Sequence, residues 1–572
     1  MAAADEVSRP RSGRLAWFPI LTILLLLGPV CAGLAGTVAP AFGYLPAIGQ
    51  TSFTMDPMLD LFAWTGIWRA TFLSLGVGFL TTALSLLIVV LIVAGWSGTR
   101  VFAILQTVLS PLLSIPHAAA AFGLAFLIAP SGWIIRTVSP SLTGWDRPPD
   151  LLILQDPLGL SLAAGLIAKE VPFLLLMTLA ALGQTGGHRS MKVAQTLGYG
   201  RISGWLKTVF PRVYRQIRLP IYVVLSYSMS VVDVAVILGP NLPPTLSVQI
   251  VRWMSDPDLS MRLVAAAAAL WQALLVLGAI LIWRLGERLV ARLGHRAVVS
   301  GRRGRRDRVL RSTGVAFGGL AVVTIFTGLA SLALWSFAGS WRFPDVSPDT
   351  LTFKSWMRHA DSLAAASGQT ALIAACSVLA ALFLALGCLE AEHRYGLKLS
   401  SKALLILYLP ILIPQTAFLP GLQTLMLGAG LSGGLLAVTL AHIVFVFPYV
   451  FLSLGDPYRS WDTRFAVVSS ALGSSPDRTL WAIRLPMMLR PLLTALAVGF
   501  AVSVGQYLPT LLIGGGRVQT LTTEALALSS GGDRRAIGVY ALLQTAAALL
   551  PFAAALALPA WVWRNRADLR HG

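Results

Sequence analysis

Residues 192–211 read KVAQTLGYGRISGWLKTVFP, and residues 467–486 read VVSSALGSSPDRTLWAIRLP. Aligning Leu197-Gly198 with Leu472-Gly473 places Pro211 on Pro486 at a constant offset of 275. A Leu-Gly step followed by a distant proline predicts two short helices. Glycine can take the left-handed conformation that closes the first, and proline halts the second. One such segment is an ordinary basic loop, but two with one spacing imply a duplicated unit. The match spreads outward: Gly239 falls on Gly514, and Pro244-Thr245-Leu246 falls near Gln519-Thr520-Leu521. Ile115-Pro116-His117 matches Ile413-Pro414-Gln415, and Gly123 matches Gly421, at an offset of 298. The change of offset predicts an insertion over most of residues 131–155, outside the membrane.

The flanking sequence sets the medium. Of 572 residues 56% are hydrophobic and 12% are charged, about half the charge of a soluble domain. A water-soluble enzyme is excluded. Apolar stretches of about 20 residues, enough to cross a bilayer, occur near 15–36, 68–95, 101–130, 160–183, 217–239 and 263–285. Six more lie near 313–338, 363–389, 403–428, 435–455, 491–514 and 537–563. The expected fold is all-α and polytopic, with about twelve spans in two parallel six-helix repeats. The first unit is 1–285 with its knob in 184–216, a basic linker covers 286–312, and the second unit is 313–572 with its knob in 456–490. Pro111, Pro116, Pro410, Pro414 and Pro420 are expected to kink the third and ninth spans.

The net charge of +20 reads as a topology signal. With both termini cytoplasmic, 32 of the 44 Lys and Arg lie on the inner side, as the positive-inside rule requires. Arg9, Arg11 and Arg14 before Leu15–Gly36 resemble a signal peptide, but the apolar run is too long, so it reads as a first helix. The linker arginines Arg302, Arg303, Arg305, Arg306 and Arg308 suit anionic lipid headgroups, and no nucleic acid is expected. Cys31, Cys376 and Cys388 offer neither a disulfide framework nor metal spacing.

Each knob suits a groove on a partner protein. Leu197, Trp205 and Phe210 are expected to supply apolar contact, with Arg201, Lys207, Arg212, Arg215 and Arg218 reaching lipid phosphates or acidic partner residues. The spacing resembles the EAA loop of type I ABC importer permeases, the MetI-like fold. Ala194, Gly198 and Pro211 match in the first half, and Gly473, Ile483, Leu485 and Pro486 in the second; Leu197 and Leu472 accompany the glycines. Departures are Lys192 and Val467 at the acidic position, Ser469 for the second alanine, and Thr208 and Phe210 for Ile and Leu.

The resemblance covers about residues 68–285 and 363–563, with the first and seventh spans as additions, and the fusion of two units in one chain resembles the thiamine and ferric-iron importers. It implies a permease in the bacterial inner membrane, moving a small solute delivered by a periplasmic binding protein. A separate ABC ATPase homodimer would dock on the loops and carry ATP and Mg. This chain has no phosphate-binding P-loop motif, so it is expected to bind no cofactor and catalyse nothing itself.

Ionisable residues at membrane depth are functional candidates. Lys169, Glu170 and Asp233 in the first half, and Ser503, Gln506 and Tyr507 in the second, either line the translocation pathway or fix helix packing. His117 and His442 read as hydrogen-bonded packing residues, and no metal site is expected. A competing reading is an ion-coupled secondary transporter using Glu170 or Asp233.

Overall fold

The computed structural model describes residues 14–304, 306–397, 400–430, 433–562 and 564. Arg9, Arg11, Arg305 and both chain ends lie outside them. The described residues form helices and no strand beyond two isolated bridges. Nine helices among them are long and apolar enough to cross a membrane, and two bent pairs raise the number to as many as eleven. Every one of the twelve apolar stretches is largely helical. The fifth, broken into Phe210–Ser230 and Asp233–Leu238, is absent from those eleven. Arg212, Arg215 and Arg218 occupy its first turns and shorten its apolar part.

The matched Ile-Pro steps break the third and ninth spans. Helix His117–Ile128 starts after Pro116 at φ −59°, ψ 145°, and Gln415–Gly428 starts after Pro414 at φ −52°, ψ 130°. Proline lacks an N–H and pushes the preceding residue out of the helical region. The ninth span turns by 86° there.

The first and seventh spans each pack into the opposite half. Trp17–Ala41 packs on Gln415–Gly428 of the second half, and Arg308–Phe337 packs on His117–Ile128 of the first. Each half thus embraces a helix from the other. Glycines permit the crossings: a methyl group on Gly36 would lie 2.7 Å from the Gly421 carbonyl oxygen. Close backbone approach through small residues is a common way for helices to pack in lipid.

Most of the expected linker is helical. The sixth span runs on through Met261–Val299 and the seventh begins at Arg308. Arg, Leu, Ala and Glu are good helix formers, so Arg288, Arg292 and Arg296 continue the helix as exposed residues. The insertion carries a short helix, Trp133–Val138. From it Arg136 donates to the Arg342 and Asp345 carbonyls at 2.6 and 2.9 Å, tying the halves together.

Candidate functional site

Both knobs are helix, glycine turn, helix. The first comprises Gly187–Thr196 and Arg201–Thr208; the second comprises Arg464–Ala471 and Pro476–Thr479, which continues through Leu480–Arg484 and Leu485–Met487. Gly198 and Gly473 have φ of +82° and +79°. Around them the amides of Gly198 and Tyr199 donate to Gln195 and Ala194, and those of Gly473 and Ser474 donate to Ser470 and Ser469. This is the Schellman closure, built twice at the same register.

One departure from the motif, Ser469, has a local reason. Ala194 is buried, and a methyl group on Gly204 would lie 3.2 Å from its Cβ. At the equivalent positions of the second knob, the Ser469 and Thr479 hydroxyls meet at 2.7 Å. The same helix crossing is closed by small apolar residues in one copy and a hydrogen bond in the other. Pro211 does not halt a helix; it lies in the first turn of Phe210–Ser230, where its missing N–H costs nothing. Pro486 lies in the last turn of the run Pro476–Met487, just before a 76° bend into Leu489–Val504.

Apolar side chains face outward in register. Leu197 is 58% exposed and Leu472 81%, flanked by exposed Val193 and Leu206 in one knob and Val468 and Trp481 in the other. Trp205, expected at this tip, is instead 1% exposed in the seat, its ring tilted against Phe210, which meets Tyr214 edge-on. Leu206, one residue on, takes the outer place. Ile483 and Leu485 are half-buried.

The second knob has a different seat. Arg484, 3% exposed, pairs with Glu390 at 2.7 Å, donates to Tyr458 and stacks on Trp461. Tyr458 donates to the same Glu390 oxygen, Oε2, that accepts from Arg484. Arg394 joins Glu390 to Asp477 at 2.6 and 2.7 Å. Sequence reading missed Glu390 and Arg484. The available signal was an arginine standing between two apolar motif positions.

Within the membrane the candidates separate. Lys169 does not pair with Glu170: its ammonium donates to the Leu112 and Ile115 carbonyls, 2.6 Å each. It clamps backbone groups freed by the break in the third span. Ser503 is likewise committed. Its hydroxyl bonds His442 Nδ1 at 2.8 Å while Thr510 meets Nε2 at 2.9 Å, making His442 a buried packing histidine.

Glu170, Asp233 and Tyr507 come together across the halves. Glu170 Oε1 lies 3.7 Å from His117 Nε2, and the His117 ring packs at a tilt against Tyr227. Asp233 interacts electrostatically with His117 and Tyr507, and Glu170 with Tyr227 and Tyr449. Asp233 starts the helix after the break in the fifth span, and Gln506 and Tyr507 occupy the corresponding break in the eleventh, before Leu508–Gly514. Among the described residues no group of three or more His, Cys, Asp or Glu side chains could hold a metal ion.

Residues 377–562 match the family described as the binding-protein-dependent transport system inner membrane component. Over 545 residues the chain is 32% identical to the inner membrane ABC transporter permease protein YnjC of Escherichia coli, covering 92% of this chain and 96% of that protein. The chain belongs to this family. It is the permease subunit of an ABC importer, a multi-pass inner-membrane protein and not an enzyme. The molybdenum transport system permease protein ModB of Mycobacterium tuberculosis is 28% identical over 215 residues, 34% of this chain and 81% of that protein. A permease of this family works with an ATPase and a periplasmic binding protein. Family membership does not support the ion-coupled alternative.

Proposed function

We propose that the two knobs are the seats of an ATPase homodimer, one knob per subunit, and that ATP with Mg is bound there and not in this chain. The observation that carries this reading is the pair of exposed leucines, Leu197 and Leu472, on turns of one geometry. An identical pair of grooves would receive such a pair. Ala194, Gly198 and Pro211, with Gly473, Ile483, Leu485 and Pro486, shape the knobs rather than supply their tips. The knobs, the linker arginines and both termini then belong on the cytoplasmic side, in keeping with the distribution of basic residues.

The solute's path runs between the halves beside Glu170, Asp233, Gln506 and Tyr507. Two buried carboxylates against one ammonium already committed to carbonyls favour a positively charged solute. Uptake of the solute carried by the cognate periplasmic protein should fall in Glu170→Gln and Asp233→Asn.

The docking role is tested by Leu197→Asp and Leu472→Asp, singly and together, in nanodiscs with the copurifying ATPase. Each single change should weaken ATPase binding at least tenfold, and the double change should abolish it. Undiminished binding to the double variant overturns the reading.

A further inference from the structure

The two knobs differ in how their second helix begins. In the second knob Ser475 is the N-cap, with φ −69°, ψ 156°, and its hydroxyl accepts from the Arg478 amide; Pro476 and Asp477 follow in the first turn. That is a complete cap: an acceptor, a residue without an N–H, and an acid at the positive end of the helix. In the first knob the equivalent residue, Gly200, has nearly the same backbone, φ −63°, ψ 159°, but no side chain. Arg201 and Ile202 stand where Pro476 and Asp477 stand, so the helix Arg201–Thr208 has no cap of its own.

The segment joining the two units lies on this uncapped end. The Ile202 amide donates to Asp307 Oδ2 at 3.1 Å, and the Gly200 amide donates to the Arg303 carbonyl at 3.0 Å. Lys207 Nζ donates to the Arg302 carbonyl at 2.7 Å. Gly304, with φ +52°, passes so close that a methyl group on it would lie 2.9 Å from Ser203 Cβ. Asp307 is 8% exposed. Its carboxylate meets the amide of the residue that aligns with Asp477, so the connecting segment brings an acid to the position where the second copy carries its own.

The segment is anchored beyond the knob as well. Arg311 stacks on Trp96 and donates to the Gly95 carbonyl, which also accepts from Arg201, while Trp96 donates back to the Arg311 carbonyl. The knob is therefore fastened through residues 302–304 and 306–311 to the end of the second span.

We infer that Asp307 is a positioning residue for the first knob, supplying in trans the helix cap that the second knob carries in cis, so that the link between the two units takes part in coupling. This rests on the reading that the knobs receive the ATPase. Exposed basic chain elsewhere in the linker can serve as a tether; Arg302, Arg303, Gly304 and Asp307 are part of the docking element.

The test uses the full chain in nanodiscs with the copurifying ATPase and Mg-ATP. In Asp307→Ala, hydrogen exchange of the amides at 201–204 should accelerate about fivefold, the factor expected for a lost N-cap, and ATPase affinity should fall several-fold. Asp307→Asn, which keeps an acceptor, should change both less. Gly200→Ser added to Asp307→Ala should restore both, because Gly200 already has the backbone of Ser475. If Asp307→Ala fails to assemble, recovery in the double variant supports the assignment and continued failure overturns it. Unchanged exchange and affinity in Asp307→Ala also overturn it. Leu197→Asp in parallel separates the two readings: if it weakens binding while Asp307→Ala is silent, only the capping role fails. If Leu197→Asp binds normally, the docking reading itself fails.

Discussion

Gly123 and Gly328 stand backbone against backbone. A methyl group on Gly123 would lie 2.9 Å from the carbonyl carbon of Gly328, and one on Gly328 would lie 2.8 Å from that of Gly123. Gly421, matched to Gly123 in the sequence, meets Gly36 in the same way. The duplicated halves are thus joined by duplicated crossings, each between one half's first helix and the other half's third. Gly123→Val should destabilise the assembly by about 1–3 kcal/mol, the range for an overpacked contact between backbones that cannot yield. Thermal unfolding in nanodiscs checks this; an unchanged midpoint would show that the crossing is loose.

Lys169 gives a second expectation. Replacing it by Met keeps length and apolar bulk but leaves the Leu112 and Ile115 carbonyls without their donor. An unsatisfied buried acceptor costs about 1–3 kcal/mol, so Lys169→Met should lower stability. Protease sensitivity around residues 110–117 should rise with it. Loss of transport with normal stability would instead put the ammonium in the pathway.

The seat of the second knob is ionic and buried, which makes single and double changes diverge. Removing Glu390 strands the buried Arg484 and should cost about 3–5 kcal/mol, whereas removing Arg484 should cost less, because Arg394 and Tyr458 still hold Glu390. Exchanging both for apolar residues of similar volume should recover much of that loss. A double-mutant cycle read by thermal unfolding decides it, and additive losses would mean that the two side chains act independently.

Asp156 carries a pH expectation. Burial opposes its charged form, but the Leu160 and Ser161 amides and the Ser161 hydroxyl all donate to it, so its carboxyl is held below the usual 3.8. A depressed carboxyl stabilises the fold fully above the ordinary value and loses that contribution as pH falls through the lower folded one. It caps the fourth span, a contribution of about 1 kcal/mol. Asp156→Ala should therefore lower the unfolding midpoint at pH 6, and its difference from the parent chain should shrink below pH 4. A difference independent of pH would remove the capping carboxylate from this account.

Hydropathy and spacing alone determined the all-α membrane class, the twelve apolar stretches, the duplication and the left-handed turns at Gly198 and Gly473. These properties are local: apolar length, missing side chains and missing amides act within a few residues. Partnerships belonged to the tertiary structure. Only the packed chain turned Trp205 inward and Leu206 outward, because helical phase in a short segment depends on what lies beneath it. Lys169 found carbonyls 57 and 54 residues away, Arg484 found Glu390 94 residues away, and Ile202 found Asp307. A charged or polar group entering the bundle must meet a complementary atom. The spacing along the chain shows that it needs one, and the fold selects which.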